Sequence, residues 1–363
     1  MKIAAIVAAA TVGDGVFALP YVFYYAGWLL CLAYLVVLGA VVIMAHVVYL
    51  ATLEKEGEKQ RLLGLTKTYL GEGGFWTGFF AIVVGLLLTL VAYLILGTQF
   101  IHLALPLVRL RYAFAAFWAL ISIPVFLDDK HVVDLELVGI ICTAVIIALI
   151  FITALPNVTF AAVPAINIQN LFLPFGAILF ALAGWTSIEP AYESRKKSGR
   201  LTGVWKALAA GTVFAAILYA MFAAGILGSA TQITADTASG LAMWPFWKKE
   251  LLAIMGLIAV GTVYLPISRE IKNSLEKDLG WNKLESRAVI VSLPPLLIAL
   301  GLDNFLVVVG LVGGLFLSLQ YLLIVSVGRR ALKLSAVQKF FLDLVALMFI
   351  LAAIYSIYSF IVR

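Results

Sequence analysis

TVGDGVFALP, residues 11–20, interrupts the first long apolar segment of the chain. Gly13 and Gly15 loosen the backbone there, Pro20 cannot donate a helical hydrogen bond, and Asp14 places a carboxylate between the two glycines. A charged residue near the middle of a membrane helix costs about 2.5–3.5 kcal/mol, so such residues usually face a protein interior or a water-filled cavity. Non-helical backbone at membrane depth is likewise tolerated only where it is buried in protein or lines a cavity. The stretch therefore predicts a break in the first helix at a binding site. The alternative is a glycine kink with a neutral, hydrogen-bonded Asp14.

The composition is that of a polytopic membrane protein. The chain has 363 residues, of which 64% are hydrophobic and 12% charged, whereas a soluble domain has about 25% charged residues. The lipid bilayer is therefore an expected partner. The net charge of +6 relates to orientation in the membrane, and nucleic acid is not an expected partner. Cys31 and Cys142 lie in apolar segments without the spacing of a disulfide or a metal site, so the sequence predicts no metal, cofactor or catalytic group.

Eleven apolar segments are long enough to cross a bilayer, which takes about 20 residues each. Their approximate limits are 3–26, 28–52, 75–105, 112–127, 132–155, 171–192, 204–227, 249–272, 285–301, 303–326 and 337–361. With the N-terminus in the cytoplasm and the C-terminus outside, 20 of the 25 Lys and Arg residues fall on the cytoplasmic side, as the positive-inside rule requires. We therefore expect an integral protein of a prokaryotic cytoplasmic membrane in this orientation.

The sixth segment repeats the pattern of the first. Gly184 lies near mid-membrane, Trp185 follows it, and the carboxylate of Glu189 and the ring of Pro190 complete the stretch. Trp185 has the alternative of a packing aromatic, and Glu189 that of a residue that reaches water at the cytoplasmic side. Interrupted helices at corresponding positions of two halves are typical of the central site of a transporter. An offset of five helices inverts the second half, which predicts two repeats, 1–155 and 171–326, and an additional helix at 337–361.

Several blocks resemble one transporter family. Gly13–Pro20 followed by Ala26-Gly27-Trp28 is similar to the first helix of the amino acid/auxin permeases and the aromatic amino acid permeases, members of the amino acid–polyamine–organocation superfamily. The segment 92–97 resembles their third helix, 262–269 their eighth and 310–315 their glycine-rich tenth. The resemblance implies an all-α LeuT-type fold, a 5+5 inverted repeat with broken helices 1 and 6 plus an eleventh helix.

The resemblance also implies an amino acid bound between the broken helices. Backbone N–H groups near Gly13 and Gly15 would hold the α-carboxylate, and backbone around Ala183–Trp185 the amine. Tyr93 falls mid-membrane, where relatives often place a substrate-facing residue; its alternative is an interhelical hydrogen bond. The predicted substrate-binding residues are Thr11, Gly13, Asp14, Gly15, Phe17, Tyr93, Ala183, Gly184, Trp185 and Thr186.

Two departures from the family bear on ion coupling. Asp14 stands where relatives usually have Ser, Ala or Thr, and Ala9 stands where sodium-coupled members have Asn. The residues predicted for ion coupling are therefore Asp14, Thr262 and Glu189, with Na⁺ or H⁺ as the coupling ion.

These features predict a secondary active transporter that moves amino acids by alternating access. An alternative substrate class is amines or polyamines, with Asp14 as the counter-ion of the amine. An alternative of another class is a membrane amino acid sensor that does not transport. No enzyme is predicted, because neither a metal cluster nor a Ser/His pair occurs at membrane depth. The sequence leaves the oligomeric state open.

Overall fold

Helices form wherever the sequence has a long apolar segment. The computed structural model describes residues 2–57, 61–126, 132–157, 163–198, 204–230, 232–241 and 244–362, and these contain helices and turns but no strand. Helices lie in all eleven predicted segments. They are α1a (Lys2–Thr11), α1b (Leu19–Ala26), α2 (Trp28–Glu56), α3 (Leu62–Ala104), α4 (Leu110–Ser122), α5 (Val132–Ala154), α6a (Leu173–Leu182), α6b (Ile188–Ser198), α7 (Val204–Leu227), α8 (Phe246–Asn273), α9 (Lys283–Ala299), α10 (Phe305–Ala331) and α11 (Ala336–Val362).

Six of the described helices are long and apolar enough to cross a membrane, and a seventh span results if the bent pair α1a and α1b counts as one. Two shorter apolar helices, Leu110–Phe126 and Gly139–Ala154, accompany them. In a helix, the backbone polar groups of a segment are hydrogen-bonded within that segment, as a bilayer requires. These long apolar helices agree with the prediction of a polytopic membrane protein.

Helix α3 lies at the centre of the bundle and α11 at its edge. Every residue of α3 from Gly85 to Thr98 is buried, as expected of a helix that is apolar all round. In α11 the buried residues are Leu342, Val345, Phe349 and Ala353, a stripe with the three- and four-residue spacing of one helix face. The remaining described residues of α11 are exposed or half-buried, as expected of a helix at the edge of the bundle.

The first and sixth helices are both broken, and their halves lie side by side. The two parts of helix 1, Ala4–Thr11 and Gly15–Ala26, are bent by 51°. Helix α1b packs against α6a, and α1a packs against the turn that leads into α6b. This arrangement confirms the predicted interruptions at the two glycine-containing stretches. The residue limits predicted for the two repeats stay predictions.

A sharp turn joins α1b to α2 and requires a glycine. Gly27 has φ 109°, and a Cβ there would lie 2.5 Å from the carbonyl oxygen of Ala165. The peptide 164–167 caps the turn: Trp28 N donates to Pro164 O and Asn167 N donates to Ala26 O. This end of the bundle is called the Asn167 face below. The opposite end, where the α2–α3 loop carries Arg61, is called the Arg61 face.

Candidate functional site

The break in helix 1 is a change of backbone direction at Gly13. Its dihedral angles, φ −126° and ψ −150°, are extended rather than helical, so the residues on either side lack their usual helical partners. Gly13 N donates instead to Thr11 O at 2.9 Å. The chain re-enters helix through a 3₁₀ turn, Asp14–Ala18. The backbone of Asp14 begins this turn, and its side chain lies outside the described part of the structure.

The break in helix 6 follows the same plan. Ala183 is extended, with φ −66° and ψ 121°, Gly184 has φ −150° and ψ 15°, and a 3₁₀ turn then leads into α6b. A Cβ on Gly184 would lie 2.5 Å from the hydroxyl oxygen of Thr11. Glycine at 184 therefore lets the two broken helices approach each other at their breaks.

One hydroxyl group joins the ends of the two half-helices. The single hydroxyl proton of Tyr219 of α7 is shared between Thr11 O, at 2.5 Å, and Ala181 O, at 2.6 Å. Both carbonyls belong to the last turn of a half-helix, where no intrahelical donor is available. Tyr219 is fully buried, so water does not substitute for it. Sequence analysis missed Tyr219, which has no local signal beyond being a tyrosine in an apolar helix.

A small cavity lies beside the two breaks. It has a volume of about 40 Å³, room for a few water molecules at most, since one water needs about 10–15 Å³ by this measure. Five of the predicted substrate-binding residues line it, together with residues of α1a, α3, α8 and α10. These five are Tyr93, Ala183, Gly184, Trp185 and Thr186. The cavity therefore lies at the position predicted for a ligand but is too small to hold one.

The described lining of the cavity does not include Thr11, Gly13, Gly15 or Phe17. The ring of Phe17 is fully buried and packs on Phe100, with ring centroids 4.6 Å apart. Gly15 packs on α6a, where a Cβ would lie 2.5 Å from Ala181 Cα. The hydroxyl of Thr11 donates to Val7 O at 2.7 Å within its own helix.

Thr262, predicted for ion coupling, also bonds within its own helix. Its hydroxyl contacts Ile258 O at 2.9 Å and Ala259 O at 3.1 Å. Its methyl group packs at Gly139 of α5. Neither contact tests the predicted role, because the hydroxyl oxygen keeps its lone pairs as acceptor sites.

Side chains of α10 hold the turn that follows the break in helix 6. Trp185 Nε1 donates to Gln320 Oε1 at 2.6 Å, and Gln320 Nε2 donates to Ala81 O at 2.7 Å. Ala81 lies in a π-turn of α3, Phe80–Val84, whose widened backbone leaves that carbonyl free to accept. The hydroxyl of the next residue of α10, Tyr321, lies 3.2 Å from Nε2 of the buried His46 of α2. Sequence analysis missed both residues, although an amide in an apolar segment is a signal, because a buried polar group needs partners.

An ion-pair cluster closes the Arg61 face. Arg61 Nε lies 3.2 Å from Glu189 Oε2 of α6b, and its guanidinium also pairs with Glu270 of α8. Tyr49 of α2 donates to Glu189 Oε1 at 2.6 Å. The exposed fractions of the Arg61, Glu189 and Glu270 side chains are 13%, 19% and 9%. Glu189 is thus mostly shielded from water and paired, whereas the sequence alone left open that it reaches water.

The carboxylates keep Arg61 charged. Burial lowers the pKa of Arg61, but Glu270 and Glu189 more than offset burial, so the pKa of Arg61 lies above its ordinary value. The fixed positive charge of Arg61 therefore lies between α6b and α8. The sequence of the α2–α3 loop has no feature that distinguishes Arg61 from other cationic residues at the surface.

A comparison with known protein families agrees with this geometry. A family model described as "Transmembrane amino acid transporter protein" matches residues 1–362. The chain belongs to this family. The transmembrane amino acid transporter family comprises membrane transporters, not enzymes, which agrees with the long apolar helices and with the prediction of no enzymatic group. No curated protein matches the chain.

Solved structures similar to this family member are transporters of LeuT-type fold. MhsT in complex with L-phenylalanine is 14% identical, with TM-score 0.68 over 97% of this chain and 98% of that chain. A manganese transporter of Eremococcus coleocola, in complex with an aromatic bis-isothiourea substituted compound, is 13% identical, with TM-score 0.66 over 99% and 86%. Mhp1, a nucleobase-cation-symport-1 family transporter in a closed conformation with bromovinylhydantoin bound, is 11% identical, with TM-score 0.62 over 99% and 91%. At these identities the likeness establishes the LeuT-type fold with its broken helices 1 and 6.

Proposed function

We propose that this protein is a secondary active transporter that moves amino acids across the membrane by alternating access, coupled to a proton or a sodium ion. The observation that carries the proposal is the pair of adjacent helix breaks at Gly13 and Gly184 beside a closed cavity. Membership of an amino acid transporter family supports the substrate class. A small-molecule substrate also agrees with MhsT, whose structure holds L-phenylalanine.

The breaks offer complementary groups to a zwitterion. The 3₁₀ turn that begins at Asp14 presents N–H groups and a positive dipole end, which suit a carboxylate. The last turn of α6a presents carbonyl oxygens, which suit an ammonium group. Tyr93, Trp185 and Thr186 would then surround the amino acid side chain, because they line the same cavity.

The described conformation is closed to substrate, which suits one stage of alternating access. A cavity of about 40 Å³ is smaller than the space of about 300 Å³ or more that small-molecule sites usually provide. Binding therefore requires one face to open. We propose that the Arg61 face is cytoplasmic, as the distribution of Lys and Arg predicts, and that Arg61, Glu189 and Glu270 keep it shut.

Ion coupling is proposed at Asp14, with Thr262 and Glu189 as further candidates. An ionised Asp14 would repel a substrate carboxylate: at 4 Å and an effective dielectric constant of 20, the repulsion is about 4 kcal/mol. A proton or a cation bound with the substrate relieves this repulsion, which links the two binding events. The alternative is a substrate amine without a carboxylate, which would pair with Asp14 directly.

Asp14→Asn in proteoliposomes tests the proposal, with Asp303→Asn as the matched control because Asp303 is exposed between α9 and α10. Under proton coupling, Asp14→Asn abolishes pH-driven amino acid accumulation but leaves exchange of preloaded amino acid. If amines are the substrates, it abolishes amine binding, measured by thermal shift. Transport at the wild-type rate with unchanged pH and sodium dependence would exclude a role for Asp14, and absence of any amino acid or amine transport by the wild type would refute the function itself.

A further inference from the structure

A second cavity lies away from the helix breaks, at the Asn167 face. Its volume is about 390 Å³, within the range of about 300–1,000 Å³ that is typical of small-molecule sites. The first turn of α6a, the first two turns of α10 and the last two turns of α11 form its walls. Because three helix ends surround it, the cavity lies at the level of a membrane–water interface rather than at the bilayer centre.

The floor of this cavity is a close crossing of α6a and α10. A Cβ on Gly176 would lie 3.0 Å from Gly310 O, and a Cβ on Gly313 would lie 1.9 Å from Gly176 O. The two backbones are thus in direct contact. Gly310 itself has open space on its Cβ side, with no atom within 4 Å. A molecule in the cavity would therefore touch both helices where they cross, and α6a ends at the break of helix 6.

The walls combine neutral polar groups with aromatic and aliphatic side chains. Gln169 and Asn170 lie at the water side, Ser359 lies near the end of α11, and none of the described residues that line the cavity carries a formal charge. The rings of Phe172 and Phe360 are 51% and 52% exposed. Aromatic rings at this level are typical of a membrane interface.

The chemistry of the described wall favours an uncharged ligand with two unlike ends. A buried charge without a partner is costly, so a zwitterionic amino acid or an anionic headgroup is disfavoured here. Hydroxyl or ester groups have hydrogen-bond partners in the amides and hydroxyls of the wall. A hydrocarbon chain has partners in Leu306, Val307 and the exposed rings.

We propose that this cavity is a second ligand site that takes an uncharged amphiphile from the lipid phase, with hydroxyl or ester groups toward water and a hydrocarbon chain along α10. The occupant bridges α6a and α10 at their glycine crossing. Its binding therefore restrains α6a, the half-helix that leads into the break of helix 6. The site is separate from the transport cavity and does not depend on the proposed substrate.

Native mass spectrometry of the delipidated protein tests this site with three probes that share one oleoyl chain. The probes are monooleoylglycerol, which is neutral, and oleate and oleoyl lysophosphatidylglycerol, which are anionic. We expect the wild type to retain monooleoylglycerol about tenfold more tightly than either anion, a difference of about 1.4 kcal/mol. Gly310→Leu, which fills the cavity without a backbone clash, should weaken monooleoylglycerol binding by about tenfold or more.

Two further variants make the result decisive. Gly39→Leu is the matched control, because Gly39 of α2 also has no atom within 4 Å of its Cβ position and does not line the cavity; it should bind like the wild type. Ser359→Trp fills the cavity from the opposite wall and replaces Gly310→Leu if that variant does not fold. Equal retention of all three probes by the wild type, or unchanged monooleoylglycerol binding in both filled variants, would overturn the proposal.

Discussion

Removal of Arg61 should open the Arg61 face. Arg61→Ala leaves the carboxylates of Glu189 and Glu270 without their shared cation, while both side chains remain less than one-fifth exposed. At the 3.2 Å between Arg61 and Glu189, one pair attracts by about 5 kcal/mol at an effective dielectric constant of 20. Desolvation offsets part of this attraction, and loss of one partner from a buried pair costs about 3–5 kcal/mol.

A destabilisation of about 3 kcal/mol changes the equilibrium between closed and open states by a factor of roughly 150. The cost applies to the closed state, because an open face lets water reach both carboxylates. Thr186→Cys reports the change, since Thr186 lines the closed cavity. The background variant replaces Cys31 and Cys142, which are free in the structure. A membrane-impermeant thiol reagent added at the Arg61 face should then label the reporter much faster in Arg61→Ala than in the parent.

The control is another arginine–carboxylate ion pair, whose two side chains are exposed. Arg329 lies on Asp343, and the two side chains are 45% and 51% exposed, so Arg329→Ala should leave labelling unchanged because water screens such pairs. A triple variant with Arg61→Met, Glu189→Gln and Glu270→Gln leaves neither Glu189 nor Glu270 as an unpaired carboxylate and should label near the parent rate. Labelling of Arg61→Ala at the parent rate would refute the reasoning, and so would a triple variant that labels as fast as Arg61→Ala.

Three further substitutions have expected effects on thermal stability, measured as melting temperature of the purified protein. Tyr219→Phe should lower stability by about 1–3 kcal/mol, because Ala181 O loses the Tyr219 hydroxyl as a donor and Thr11 O keeps only Gly13 N; an unchanged melting temperature would contradict this. Gly15→Ala should destabilise by about 1–3 kcal/mol through overpacking, whereas Gly39→Ala in open space should stabilise by about 0.5–1 kcal/mol; equal effects would exclude the packing argument. Gln320→Leu should cost about 1–3 kcal/mol, because it leaves the buried Trp185 N–H and Ala81 O unpaired; a melting temperature equal to that of the parent would argue against both bonds.

The helix breaks were predictable because their causes are local. Glycines at 13 and 184, each followed by a proline six or seven residues later, weaken the helix wherever the chain folds. The cavity wall was predictable in part for the same reason, since Ala183, Gly184 and Trp185 follow the break directly. The helices were predictable from the long apolar segments, because a segment that spans a bilayer has few alternatives to an α-helix.

The contacts between distant residues were not predictable. Arg61 meets Glu270, which lies 209 positions away in the chain, and no periodic pattern distinguishes Arg61 among the 25 Lys and Arg residues. Gln320 and Trp185 are 135 positions apart. Gly15 reads in the sequence as a source of flexibility, yet in the fold it permits close packing on Ala181. Such roles depend on which side chains the tertiary structure brings together. The sequence pattern does not show which residues of two non-adjacent helices lie opposite each other.

The two ends of the cavity are closed by different kinds of contact. At the Asn167 face the contacts are neutral: Thr237 donates to Phe17 O at 2.5 Å, and Asn167 donates to Tyr25 O at 3.0 Å. At the Arg61 face they are ionic, and one aromatic contact connects them to the cavity, because the ring of Tyr49 lies 6.3 Å from that of Trp185.

This asymmetry assigns different sensitivities to the two faces. A charge that enters the cavity changes the energy of ionic contacts over several ångströms, whereas neutral hydrogen bonds respond mainly to displacement of their own atoms. Tyr49 contacts the cavity wall with its ring and Glu189 with its hydroxyl, so movement of Trp185 around a substrate shifts a partner of the ion pair directly. Under the proposed alternating access, closure of the Arg61 face would depend on the charge and size of what the cavity holds, whereas opening of the Asn167 face would require Thr237 and Asn167 to leave their carbonyl partners.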